Sequence, residues 1–242
     1  MRADYPTPEQ VDGLRLLWKE AFGDSDAFLD RFFETGFSYD RCRCIVLDGQ
    51  IAAALYWFDC RCEGAPMAYL YAVATARAHR GKGLCRLLME DTHAHLKNLG
   101  YAGCILVPGE KGLFTMYEKL GYCCFGGMDT VVCEADSPVS LRELTAAQYS
   151  ALRKQYLPPH GVLQEGMDFL ATYATLYAGE DFICAWADTA LELLGNTEAG
   201  PGILAALGKK SGCFRIGGNA PFAMYHPLSD APAPSYFGIA FD

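Results

Sequence analysis

The residues most suited to chemistry are Arg80-Gly81-Lys82-Gly83, set directly before the leucine-rich run that begins Leu84-Cys85. Gly81 and Gly83 remove side chains from the turn, so that backbone N–H groups can converge on a ligand, and glycine tolerates the positive φ such a cradle demands. A helix starting at Leu84 adds unpaired N–H groups and the positive end of its dipole, while Arg80 and Lys82 add full charges. Together these features would hold a diphosphate. The turn is not a Walker loop, because Gly-x4-Gly-Lys-Ser/Thr is absent. Nor is it a dinucleotide fingerprint, because Arg86 stands where Gly-x-Gly-x-x-Gly needs its last glycine. On the turn alone, a solvated basic loop at a helix start remains the competing explanation.

The 242 residues suffice for one large domain or two of about 100 to 130 residues. With 51% apolar and 20% charged residues, the chain can bury a substantial core. A net charge of −9 speaks against a general nucleic-acid surface, which needs clustered Lys and Arg, and fits a cationic substrate only weakly. The start MRADYPTPEQ resembles neither a signal nor a transit peptide, and no apolar run approaches the roughly 20 residues of a membrane span. A cytoplasmic protein without membrane attachment is expected. Its eleven cysteines are odd in number and are read as reduced thiols. The C-x-C pairs Cys42/Cys44 and Cys60/Cys62 suit one face of a strand better than a zinc site, so no metal is expected.

The elements that must position the turn follow from periodicity. Val11, Leu14, Leu17, Trp18 and Phe22 have helical spacing up to Gly23, and Asp24 or Ser25 can cap a second helix carrying Phe28, Leu29, Phe32 and Phe33. From Cys42 two strand-like runs flank Asp48-Gly49, a hairpin signal, and MAYLYAVAT forms a third after Gly64–Pro66. The glycine turn leads into a helix from about 84 to 99 that stops at Gly100. A strand GCILV, a helix over 112–120 closed by Gly121, and a strand GYCCFGGMDTVVCE follow. Strand, helix, strand, helix, strand is a parallel crossover pattern. The polar stretch EADSP places a boundary between domains 1–135 and 136–242. In the second, strand–helix (VSLRELTAAQYSALRKQYL), helix (GMDFLATYATLYAG), strands DFICAWAD and TALELLGN, helix PGILAALGKK, and strands CFRIGG, PFAMYHPL and YFGIAFD repeat the first half's order without its glycine turn. The class is α/β with a mixed sheet, and the second half reads as a degenerate copy.

The stretch YLYAVATARAHRGKGLCRLLMEDTHAHLKNLGY followed by LFTMYEKLGY resembles the core of the GNAT family, the GCN5-related N-acetyltransferases. Arg80 to Cys85 match that family's Arg/Gln-x-x-Gly-x-Gly/Ala signature except at Cys85. The resemblance spans roughly residues 10 to 133, with the specific motifs confined to about 69 to 122. It implies the GNAT acyl-CoA N-acyltransferase fold and acetyl-CoA as co-substrate. The main chain of Val73, Ala74 and Thr75 would pair with the pantetheine arm, with an N–H near Val73 facing the carbonyl oxygen. Arg80, Gly81, Lys82, Gly83, Leu84 and Cys85 would hold the diphosphate. It further implies that Tyr117 is the general acid beside the thioester sulfur. The chain departs from the family at Glu110 and Leu113, where many members have Asn and Ala.

Acetyl transfer to an amine requires a neutral nitrogen, yet an alkyl ammonium has a pKa near 10.4, so a proton must be accepted. Tyr69 is the candidate base, sharing a strand face with Tyr71 and Val73, and Asp59 or Glu63 at the meander's end are alternatives. His93 and His95 fall on the outer side of the glycine-turn helix, and His79 next to the turn faces solvent. The expected activity is acetylation of a primary amine on a small molecule or peptide, with a homodimer compatible. A non-catalytic acyl-CoA sensor or scaffold is the alternative. The second half, lacking any RGKG counterpart, is expected to bind no coenzyme A and either to wall the acceptor pocket with Tyr173, Trp186 and Tyr225 or to serve structure alone.

Overall fold

The structure, a computed structural model, describes residues 2–241. The chain divides into two compact units, the first comprising Met1–Cys60, Gly64–Cys123 and Met224–Ala231. Helix α1 (Val11–Phe22) buries Leu14, Leu17 and Trp18 and ends at Gly23, whose φ of 78° is the left-handed conformation a glycine supplies cheaply. Ser25 caps α2 (Asp26–Arg31) by accepting from the Phe28 N–H at 3.2 Å. The expected long second helix instead widens into a π turn over Phe32–Gly36. There Phe32 packs on Trp18, ring centroids 4.6 Å apart, while Phe33 and Phe37 pack at a tilt, centroids 4.9 Å apart. Aromatic packing against the sheet thus overrides regular helical spacing.

Strands β1 (Cys42–Leu47) and β2 (Gln50–Cys62) pair antiparallel about Asp48-Gly49, both at positive φ as a two-residue hairpin requires. β3 (Ala65–Thr75) follows Glu63-Gly64. Helix α3 (Leu84–Asn98) then crosses over to β4 (Gly103–Leu106), which lies parallel to β3 with Met67–Tyr69 opposite Gly103–Ile105. After β4 comes α4 (Lys111–Glu118). Leu55, Trp57, Leu70, Leu88, Met89, Leu96 and Cys104 form the core between sheet and helices.

The second expected crossover is not built. The far side of β4 is taken by Met224–Pro227, antiparallel to it, and not by β5 (Cys123–Glu134). Gly103 makes this pairing feasible, because a Cβ there would overlap the Tyr225 ring.

The second unit comprises Arg61–Glu63, Cys124–Ala223 and Pro232–Asp242. It holds β6 (Arg142–Leu144), α5 (Ala146–Tyr156) with a Thr145–Gln148 capping box, β7 (Leu163–Gln164) and α6 (Met167–Leu170). β8 (Thr175–Ala178), β9 (Phe182–Trp186), β10 (Ala190–Gly195), α7 (Gly200–Ala206) and β11 (Ser211–Pro227) complete it, the last four residues of β11 belonging to the first unit. The helix expected over GMDFLATYATLYAG shrinks to one turn. Its second half alternates, with Leu176 and Ala178 buried and Thr175 and Tyr177 half-exposed, which is a strand pattern. The two strands expected at CFRIGG and PFAMYHPL are one. The Asp129 carboxylate accepts from the Asn219 and Ala220 N–H groups at 3.0 Å and carries β11 past its glycines, where it pairs with β5. Of YFGIAFD, residues 236–241 add no strand, Tyr236 making only a bridge to Gly161, and Asp242 lies outside the described residues.

β8, β9 and β10 form an antiparallel meander, and α7 then leads into β11, parallel to β10 at Ala190 and Phe214. This repeats β1–β2–β3, α3, β4, so the chain is a mixed-sheet α/β protein whose second half repeats the element order of the first. The change of unit falls at Cys123–Cys124 where the composition placed it near 134–138. The difference is the length of β5, which sits with β11.

Two buried polar clusters set how the units respond to perturbation. In the second, Arg153 donates through Nε (2.7 Å) and Nη2 (2.9 Å) to Glu192, which also accepts from the Tyr236 and Tyr149 hydroxyls. Arg153→Met leaves that carboxylate buried and uncompensated. It is expected to lower the unfolding free energy by about 3–5 kcal/mol in denaturant titrations, against which a loss under 1 kcal/mol would count. In the first unit, His93 lies on the buried face of α3 and not the outer side. It hydrogen-bonds the Tyr122 hydroxyl at 2.7 Å and stacks on His226, centroids 4.1 Å apart. Burial and the neighbouring His226 push its pKa down to about 3. The unfolded chain therefore binds this proton near pH 6.5 while the folded one does not, so stability is full above pH 6.5 and falls as the pH drops toward 3. The wild type should lose up to about 1.4 kcal/mol per pH unit more than His93→Gln over that window; parallel curves for the two proteins would refute this.

Candidate active site

The glycine turn, the end of β3, the head of α3 and α4 surround a groove of about 850 Å³ in the first unit. Val73, Ala74, Thr75, Arg80, Gly81, Gly83, Leu84, Cys85 and Tyr117 all line it. Ala72 has a φ of 47°, rare for a residue with a Cβ, so β3 is deformed at the residue before Val73. The ladder to β4 has already stopped at the Tyr69–Ile105 pair. On the β2 side the strand stays anchored, with the Ala76 N–H donating to the Ala52 carbonyl at 2.9 Å.

Gly81 and Gly83 have φ of 72° and 80°, and a Cβ built on either meets open space. Glycine is thus demanded by backbone conformation and not by crowding, and the space left free belongs to the groove. Gly83 is the N-cap of α3, and no side chain caps that helix. Its first N–H groups have no partner within the helix and sit at the positive end of the dipole. Arg80 donates through Nε to the Thr75 carbonyl at 3.0 Å, and Lys82 donates to the Ala78 carbonyl at 2.8 Å. Both cations therefore brace the turn. Lys82 does not line the groove, whereas the Arg80 Nη atoms have no protein partner among the described residues. An anion the size of a diphosphate fits this donor set.

Tyr117 comes from the last turn of α4 and is only 5% exposed. Its ring packs edge-on against Tyr122 at 5.7 Å, and its hydroxyl has no hydrogen-bond partner among the described residues. Burial, then the nearby Cys85, raise its pKa well above the ordinary 10, so it keeps its proton across the physiological range. Burial likewise raises the Cys85 thiol.

The remaining candidates are placed elsewhere. Tyr69 is buried, stacked on Phe58 at 6.3 Å and close to Tyr71 at 6.0 Å, and is not among the groove-lining residues. Asp59 is held by Arg41 through Nε (3.0 Å) and Nη2 (2.7 Å) and by the Tyr101 hydroxyl. Glu63 is a turn residue accepting from the His160 N–H at 3.1 Å. Trp186 belongs to the core of the second unit beside Phe214, Tyr173 packs on Phe169, and Tyr225 lies over Gly103 in the first unit. Phe22 and Met116, which sequence reasoning missed, also line the groove, as do His79, which it placed in solvent, and Leu113. Met116 lies beside Tyr117 in the second motif, whereas Phe22 comes from α1 and carried no signal.

In the second unit the helix-opening glycines are packed. A Cβ at Gly202 would overlap Val139, and one at Gly200 would press on Cys133 and Phe214. The cavity beside them is lined by Asp136, Glu180, Asp181 and Glu198. Such a wall repels a diphosphate.

The sequence profile of the acetyltransferase (GNAT) domain matches residues 2–125. No curated protein matches the sequence. Among solved structures, a probable N-acyltransferase of unknown function from Enterococcus faecalis V583 aligns over 94% of this chain and 72% of its own, with a TM-score of 0.69 and 17% identity. A GCN5-related N-acetyltransferase from Kribbella flavida aligns over 93% and 70%, with a TM-score of 0.70 and 18% identity. Eis1 from Mycobacterium abscessus aligns over 94% and 74%, with a TM-score of 0.69 and 9% identity. At these identities the structures speak to the fold, and they do so across both units.

Proposed function

Since the chain belongs to the GNAT family of acetyltransferases, we propose that it moves an acetyl group from acetyl-CoA directly to the primary amine of a small molecule or peptide. The observation that carries this is a single groove joining an uncapped helix head, two open positive-φ glycines and a buried tyrosine whose hydroxyl has no partner among the described residues. Acetyl-CoA, when bound, supplies the activated carbonyl and a thiolate leaving group.

The chain's own groups then have distinct tasks. The N–H groups from Gly81 to Cys85 and the Arg80 guanidinium hold the diphosphate, with Lys82 stiffening the turn that presents them. The main chain of Val73, Ala74 and Thr75 pairs with the pantetheine arm as an added strand, and the Val73 N–H donates to the carbonyl oxygen as charge develops there. Tyr117 donates its proton to the departing sulfur, which its raised pKa allows throughout the neutral range. The proton released by the amine passes to water in the open groove. Direct transfer is favoured over an acylated cysteine because burial holds the Cys85 thiol protonated.

We assign catalysis to the first domain and no coenzyme A site to the second, on the strength of its packed glycines and acidic cavity. Among the described residues the eleven cysteines form no disulfide, which fits a reducing, cytoplasmic setting. Among the described residues no helix is long and apolar enough to cross a membrane.

Calorimetry with coenzyme A should find one site per chain, and Arg80→Glu should weaken it about 10- to 100-fold by removing a charge-assisted contact. Thiol release measured over polyamine, aminoglycoside and peptide acceptors should identify at least one substrate. With it, Tyr117→Phe should lower kcat about 100-fold or more while changing the coenzyme A Kd little. Tight binding without thiol release on any amine would mark a sensor, and no binding would end the proposal.

A further inference from the structure

A buried polar pair stands behind the groove without lining it. His93 and Tyr122 are both buried, and the imidazole Nε2 lies 2.7 Å from the hydroxyl. Burial, with His226 beside it, keeps His93 neutral, and burial keeps Tyr122 protonated, so the hydroxyl donates and Nε2 accepts. His226 closes the other side. Its ring stacks on His93 with centroids 4.1 Å apart, leans on Tyr122 at 5.2 Å, and donates through Nδ1 to the Gly121 carbonyl at 3.1 Å. A Cβ on Gly121 would come within 3.0 Å of that nitrogen, so glycine lets the imidazole sit this close.

Tyr117 has no such hold on its own hydroxyl, whose aim is left to its neighbours. Tyr122 meets it twice. The Tyr122 N–H donates to the Tyr117 carbonyl at 3.1 Å, and the two rings pack edge-on with centroids 5.7 Å apart. One residue thus grips both the backbone and the ring of the candidate acid, and it is pinned at its own hydroxyl by α3, the helix whose head forms the diphosphate cradle. Cradle and pin lie on one rigid rod and keep a fixed separation.

We propose that, given the acid role of Tyr117 on which this rests, His93 and Tyr122 are its positioning residues: they hold its hydroxyl at the sulfur of coenzyme A while the diphosphate is seated at the head of the same helix. Neither touches the reacting atoms. Loss of either polar group leaves the apolar contacts of Tyr122 in place but frees its ring to turn, and Tyr117 turns with it. A misplacement of about 1 Å costs a rate up to about 100-fold, so the effect belongs in kcat and not in binding.

The test pairs turnover with a readout that needs no acceptor. On an amine found by thiol release, Tyr122→Phe and His93→Leu should each lower kcat about 5- to 30-fold while the acetyl-CoA KM stays within about 2-fold. His93→Gln, whose amide oxygen still accepts from Tyr122, should restore most of the loss. In a Tyr117→Phe background, Tyr122→Phe should cost less than about 2-fold more, because nothing is left to aim. Tyrosine-selective NMR with coenzyme A as the ligand should show the Tyr117 signal, assigned by its absence in Tyr117→Phe, shifting on binding in the wild type and not in His93→Leu at a similar Kd. Tyr122→Phe carries the same readouts if His93→Leu does not fold. An additive loss in the Tyr117→Phe background, no rescue by His93→Gln, or a Tyr117 signal that responds in the variants as in the wild type overturns the inference and leaves the acetyltransferase proposal standing. A wild-type Tyr117 signal that ignores bound coenzyme A removes the acid role, and this inference falls with it.

Discussion

The N–H groups at the head of α3 point out of the helix with no carbonyl to receive them, and the chain provides no side chain to close the gap. Side-chain caps close α2 at Ser25 and α5 at Thr145, while α1, α4, α6 and α7 have none. An absent cap costs a helix about 1 kcal/mol, and a left-handed N-cap is open to glycine at little further cost. What holds α3 in place is therefore its buried face, where Leu84, Leu88, Met89 and Leu96 pack into the sheet. Packing behind the helix offsets a polar vacancy in front of it, and that vacancy is where an anion is stabilised.

Much of this arrangement is local and was legible in the sequence. The stop at Gly23, the Ser25 cap, the Asp48-Gly49 hairpin and the start of α3 at Leu84 each depend on neighbours within a few residues. Most of the groove's walls come from two stretches about thirty residues apart, and α1 adds Ala21 and Phe22. What failed was non-local. Nothing near β4 announces that Met224–Pro227 will lie beside it, because the cause is Gly103 making room for a tyrosine more than a hundred residues later. His93 was misplaced because a polar residue on a helix is ordinarily solvated, and only the distant Tyr122 and His226 explain its burial. The helix expected across residues 166–179 failed by period. Leu176 and Ala178 alternate with Thr175 and Tyr177, but the preceding Phe169–Leu170 pair suggests a helix face.

The two units show how little separates a scaffold from a site. Both run a meander into a helix and then a strand parallel to the last meander strand, and both have glycines where that helix begins. In the second unit those glycines serve close packing, with Val139, Cys133 and Phe214 in the space a Cβ would take. In the first they face nothing but the groove. Glycine spacing alone therefore does not distinguish a cradle from a tight joint. The difference lies in the sign of φ, in the cations flanking the turn, and in whether carboxylates line the neighbouring cavity.

Burial also sets the protonation of two groups that line the groove, Tyr117 and Cys85. A hydroxyl that must give a proton to a leaving sulfur is useful only if it still holds one, and withdrawing Tyr117 from water ensures that by penalising the phenolate. Withdrawal from water likewise penalises the Cys85 thiolate. A single apolar wall built by Leu84, Leu113, Met116 and Leu120 thus keeps the acid and the thiol protonated. The chemistry open to the groove is then decided by what is held there and for how long, more than by the intrinsic reactivity of its side chains.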